Sequence, residues 1–251
     1  MTSLYATTLL GSSVYVLLWS FLAYSFLGVV VEGLFFLACE RSLESRIGLL
    51  YLPLRPLYGV GGSAFALLLR PVLAQPVAVF VLGAVVATVV EYLASVFTDR
   101  LFGAVSWDYS DKLLNLQGRV CLVYSLVWGG LAVAALYLLD APLRGLLARL
   151  PRGAGESLLT VLLLLVAAST VITLAALVRT RRRVAVLRAR AGGGVGTATG
   201  RGWARLVDRL VPDVVLINSF PRMTLVDELG RLTEQQRVWI RWPGPGARGA
   251  A

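Results

Sequence analysis

From residue 14 to residue 178 the chain is built of long apolar runs separated by short polar interruptions, with little of the strand-like alternation of period two. An α-helix needs roughly 20 apolar residues to cross a hydrocarbon layer of about 30 Å. Five runs reach or approach that length, at 14–38, 57–74, 76–97, 119–139 and 156–178, and the pattern predicts a helix over each. The expected fold class is therefore all-α: a polytopic helical membrane protein of about five transmembrane helices. Its domains would be a four-helix core at 14–140, a fifth helix at 156–178 and a tail at 179–251. The fifth run is almost pure Leu, Val, Ala, Ser and Thr and reads as a lipid-facing anchor. Between the first two runs, Pro53 and Pro56 stand three apart in an apolar stretch, which breaks any regular helix there. Broken backbone at membrane depth requires protein or water to cover it. If residues 47 to 56 crossed as a sixth segment, the topology would invert.

Two of the runs contain a lone carboxylate about six residues from the end: Glu32 in the first and Glu91 in the third. A charge at the centre of a span costs roughly 2.5–3.5 kcal/mol, and less near its end, so both side chains are expected to face protein or water. Each is followed by a polar connector and then by an Arg before the next helix, Arg55 and Arg119. The two units read as a duplicated helical hairpin in parallel orientation, a plan that places sites between the copies. Glu32 and Glu91 would then pair with Arg55 and Arg119, either as structural locks or as the walls of a polar cavity.

Composition narrows the chemistry. The chain is 57% hydrophobic and 15% charged, with a mean hydropathy of +0.76. With no histidine, Ser-His-Asp catalysis and His-ligated metal are excluded. Two cysteines, Cys39 and Cys121, cannot make a four-thiolate site and read as packed, reduced thiols. No phosphate-binding G-x-x-x-x-G-K-[ST] loop exists, and the single lysine, Lys112, is followed by Leu113, so the chain is not an ATPase by itself. No cofactor is expected.

Charge collects at the C-terminus. Residues 179–251 hold 14 Arg against Asp208, Asp213, Asp227, Glu228 and Glu234, a net +9 of the chain's +10. Arg179, Arg181, Arg182, Arg183, Arg188 and Arg190 follow the fifth run directly, which by the positive-inside rule places the tail in the cytoplasm and the N-terminus outside. The expected location is the plasma (inner) membrane. Residues 192–196 read as a flexible glycine linker. Trp203, Leu206, Val207 and Leu210 recur at helical spacing beside Arg201, Arg205 and Arg209, which predicts an amphipathic helix facing an anionic leaflet or an acidic partner. Aromatic stacking platforms are lacking, so nucleic acid is not an expected partner. A further short helix is expected at 225–237, opened by Thr224.

The densest polar stretch is Trp107-Asp108-Tyr109-Ser110-Asp111-Lys112, continuing through Asn115-Leu116-Gln117-Gly118-Arg119 into Cys121-Leu122 and Ser125-Leu126-Val127-Trp128-Gly129. Carboxylates, carboxamides, cations and aromatic rings within thirteen residues suggest a folded binding loop more than a tether. Asp108, Asp111, Asn115 and Gln117 supply oxygens of the kind hard cations use, at a spacing that matches no named loop. These residues, with Tyr24-Ser25-Phe26-Leu27-Gly28, Pro53-Leu54-Arg55-Pro56-Leu57-Tyr58-Gly59 and Glu91-Tyr92, resemble the bacterial membrane family of type IV ABC transporters, the CmpB-like permeases, over about 14–140. Arg55, Gln117 and Gly33 depart from the family's usual residues. The resemblance implies a permease-like subunit working with a separate ATPase; it brings no residue roles. Glu32, Arg55, Tyr58, Glu91, Asp108, Tyr109, Asn115, Gln117 and Arg119 are the candidate substrate-binding or ion-pair residues. The other class open to the same carboxylates is a lipid-active enzyme or lipid-binding sensor at the inner leaflet.

Overall fold

The computed structural model describes residues 5, 7–40, 48–102, 104–105, 107–191, 202–212, 215 and 224–225. Its helices are α1 (Val14–Glu40), α2 (Pro56–Leu68), α3 (Pro76–Phe102), α4 (Leu122–Ala134), α5 (Asp140–Arg149), α6 (Arg152–Ala191) and α7 (Gly202–Leu210). A π-helical turn, Ala135–Leu139, joins α4 to α5 without a break. Among the described residues, four segments are long and apolar enough to cross a membrane: Val14–Phe35, Pro76–Phe102, Leu122–Arg149 and Arg152–Arg182. The expected second span is a shorter helix than the others. Pro56 opens α2 and the helix stops at Leu68, so its 13 residues reach only about 20 Å before a 3-10 turn at Arg70–Val72.

In α3 one stripe, Val77, Val81, Val85, Val89, Leu93, Phe97 and Leu101, is exposed at every fourth residue, and only lipid would cover it favourably. The opposite stripe, Val79, Gly83, Ala87, Glu91 and Ser95, is buried. Glu91 therefore faces protein. The core between the hairpins gathers Tyr24, Phe65, Leu69, Val79, Trp128 and Leu136, with the Tyr24 hydroxyl donating to the Ala135 carbonyl at 3.2 Å.

The two hairpins share one packing register. A Cβ on Gly59 would stand 2.7 Å from the Phe21 carbonyl oxygen, and one on Gly129 would stand 2.8 Å from that of Phe80. Gly62 packs on Tyr24 just as Ala132 packs on Gly83. Glu32 and Glu91, Phe21 and Phe80, and Tyr24 and Gly83 are each 59 positions apart; Gly59 and Gly129, and Gly62 and Ala132, are each 70 apart. On this register Tyr58 corresponds to Trp128 and Arg55 to Ser125. Arg119 has no counterpart, because it lies in the longer second connector. The expected Arg55–Arg119 equivalence is corrected accordingly.

Backbone breaks at 49–55, as the prolines require, and protein covers it. Leu49 and Leu52 bridge a tight turn whose Leu50 is fully buried. Its N–H donates to Thr173 Oγ1 at 3.0 Å, and Ser169 Oγ donates to its carbonyl oxygen. Arg55 N–H donates to the Ser25 carbonyl at 2.9 Å. One face of α6 is thus a clasp for this turn, a correction to the expectation of a purely lipid-facing anchor.

At about 60 Å, α6 runs unbroken through the start of the basic cluster to Ala191. The amphipathic helix forms as α7, but its Val207 packs against α6 with Val211, while Leu206 and Leu210 stay exposed. Arg179, 2% exposed, holds it there by pairing with Asp208 at 2.8 Å and donating to the Val211 carbonyl at 2.9 Å. Thr224–Leu225 pairs antiparallel with Ala104–Val105; the linker at 192–196 and residues 226–237, where the short helix is expected, lie outside the described residues.

Candidate functional site

The ends of α1 and α3 and the starts of α2 and α4 converge where the 49–55 turn and the 107–121 loop lie. In the first hairpin the expected ion pair forms: Arg55 Nη1 lies 2.5 Å from Glu32 Oε2, both side chains largely shielded. In the second it does not. Arg119 Nη2 lies 2.5 Å from Asp99 Oδ2, and its Nη1 donates to Ser95 Oγ at 3.1 Å. Asp99 was not among the candidates, although Glu91, Ser95 and Asp99 recur at four-residue spacing and so share a helix face. That carboxylate is nearer the helix end and less buried, so a guanidinium reaching in from the loop meets it first.

Glu91 is consequently a buried carboxyl, 4% exposed, with no cation beside it among the described residues. Its Oε1 accepts from the Tyr109 hydroxyl at 3.2 Å; its Oε2 is buried with no hydrogen bond. The indole of Trp128 is within reach as a further donor. Tyr58 and Trp128 meet with ring centroids 4.9 Å apart, and Tyr58 feels the charges of Glu32, Arg55 and Glu91 together. One aromatic seam therefore separates a neutralised carboxylate from one that is not.

The loop that supplies Tyr109 is organised by its own polar groups. Asp108 accepts from the Ser110 N–H at 2.9 Å. Asn115 donates to the carbonyls of Lys112 at 2.9 Å and Ser110 at 3.2 Å, and accepts from the Gly118 N–H at 3.0 Å. Gln117 and Gly118 both take positive φ, +57° and +68°, and Arg119 N–H closes the turn on the Leu116 carbonyl at 3.0 Å. Gly118 is required here, since a Cβ would stand 2.6 Å from Ser110 Oγ. Gln117 spends its side chain on α3, accepting from the Tyr92 hydroxyl at 2.9 Å, and Trp107 Nε1 donates to the Arg119 carbonyl at 2.8 Å.

Tyr109 stacks on Tyr124 at 4.7 Å between centroids. Burial, and then the neighbouring Glu91 charge, push its phenol above the ordinary tyrosine value, so it remains a donor at any physiological pH. Lys112 and Asp111 pair at 2.8 Å in the open; the lysine's hydrogen bond holds the Asp111 carboxyl below its usual value. No three His, Cys, Asp or Glu side chains gather into a metal-binding group among the described residues.

The profile of the family described as "Putative ABC-transporter type IV" matches residues 19–174, more than half of the chain. The chain belongs to this family. No curated protein and no solved structure matches it. The type IV match runs past residue 140, the expected end, and takes in α6 as far as Leu174. The clasp formed by Ser169 and Thr173 on Leu50 gives that extension a physical reason, since the 49–55 turn is incomplete without α6. Family and apolar helices together make this a multi-pass membrane protein of a transport-related class.

Proposed function

We propose that this protein is the membrane-embedded component of a transporter and that the aromatic seam between Glu32–Arg55 and Glu91–Tyr109 is its polar site. The supporting observation is Glu91: an intramembrane carboxyl with one buried, unbonded oxygen and no cation beside it among the described residues. A purely structural carboxylate at that depth is normally paired, as Glu32 is. Glu91 is the group that receives a positive charge, as a proton or as part of the substrate, while Tyr109 closes over it from the loop. Arg179 to Arg190 follow the last span and favour a cytoplasmic placement for that end of the bundle, which opens the seam inward. Energy comes from a separate ATPase subunit, because this chain carries no nucleotide loop.

The test uses inside-out vesicles from the host, containing wild type or Glu91→Gln at equal abundance. Vesicles are incubated with a small-molecule extract, with and without ATP, and retained solutes are profiled. An ATP-dependent change that the variant loses is expected. Identical profiles for wild type, Glu91→Gln and a deletion strain would overturn the proposal.

A further inference from the structure

A cavity of about 600 Å³ lies at the opposite flank of α1, between α1, α5, α6 and the 52–54 segment. Its walls are apolar, including Leu22, Leu54, Leu147 and Leu162, and two residues interrupt them. Arg149 lines it and has no ion pair or hydrogen bond among the described residues, unlike the nearby Arg144 and Arg152, which pair with Asp140 and Glu156. Trp19 also lines it, and its indole N–H is buried without a hydrogen bond. An unpaired guanidinium attracts an anion. The volume is that of a single-ligand site. An apolar groove with one exposed cation among its lining residues matches an amphiphile with an anionic headgroup and a long hydrocarbon chain.

We infer that this groove binds one anionic phospholipid, its phosphate on Arg149 and one acyl chain between α1 and α6. The site is separate from the Glu91 seam and independent of the transport proposal.

The experiment is native mass spectrometry of the full chain from mild detergent, with phosphatidylglycerol and phosphatidylcholine of identical chains. Wild type is expected to retain one phosphatidylglycerol per chain with about fivefold preference, the order of a single Arg at a membrane surface. Arg149→Gln, an exposed substitution, should erase the preference between headgroups. Leu162→Trp should fill the groove and lose retention of both lipids. A broad distribution of bound lipids, equal for both headgroups and unchanged in Arg149→Gln, would mean annular lipid only and overturn the inference. Should Leu162→Trp fail to fold, the Arg149→Gln result decides it.

Discussion

The hairpins α1–α2 and α3–α4 are packed alike and charged differently. Both close through a glycine against a Phe carbonyl, Gly59 on Phe21 and Gly129 on Phe80, and both place a glutamate eleven residues beyond that Phe. In the first, the position facing the glutamate's end of the helix is Arg55, and the charge is neutralised on the spot. In the second, the corresponding position is Ser125, which takes a 2.7 Å hydrogen bond from Thr88. The longer second connector brings a cation, Arg119, but delivers it to Asp99, and brings a phenol, Tyr109, to Glu91. One scaffold thus carries a locked carboxylate and an available one. Glu32 anchors, and Glu91 is left to respond.

The largest effect that would break this contrast is Arg55→Gln. It removes the guanidinium from the shielded Glu32 carboxylate, and losing one partner of a buried pair costs about 3–5 kcal/mol; the residual exposure here favours the lower end. A clear fall in the thermal midpoint of the detergent-purified protein is expected, recovered in the Glu32→Gln/Arg55→Gln double variant. Glu91→Gln should instead leave the midpoint unchanged or raised, because no cation is orphaned. If both substitutions destabilise equally, the two carboxylates are equivalent and the contrast fails.

Next in size are Gly59→Ala and Gly129→Ala. Each forces a methyl against a carbonyl and a side chain, so each should cost about 1–3 kcal/mol of overpacking. Similar losses of monodisperse yield would support a shared register; tolerance of one alone would argue against it.

Much of this was legible before any coordinates. Apolar runs located the spans, because lipid demands length and composition that few other environments do. The lone glutamates pointed to a protein-facing side, and Gly83, Ala87 and Ser95 at four-residue spacing mark that side of α3. What failed was pairing by analogy. Matching Arg119 to Arg55 assumed connectors of equal shape, and the turn at Gln117–Gly118 swings Arg119 toward Asp99 instead. The roles of Asp108 and Asn115 were unreadable for another reason: a side chain that bonds its own loop looks, in sequence, like one that bonds a ligand. Ser169 and Thr173 were hidden among small residues that lipid-spanning helices carry for many purposes.

Smaller effects sharpen the loop's part. Tyr109→Phe removes one hydrogen bond to Glu91 and should cost about 1 kcal/mol, measured as a modest drop in thermal midpoint while the Tyr124 stack persists. The smallest expected effect is at Asp111. Its carboxyl is held below its usual value, so any stabilisation it gives is present above the unfolded-state pKa and is lost as pH falls through the folded one. Being fully exposed, the pair should contribute nothing measurable. Melting curves of wild type and Asp111→Asn should coincide between pH 3 and pH 7; a separation there would show the loop's outer tip to be structural.

The clasp of Ser169 and Thr173 on Leu50 also has a bearing on how the chain is made. Those partners are 119 and 123 residues further along the chain, so the kinked segment emerges from the ribosome long before its cover. Until α6 enters the bilayer, two main-chain groups at membrane depth have no protein to satisfy them. The kinked turn can therefore close only after the last helix has been made.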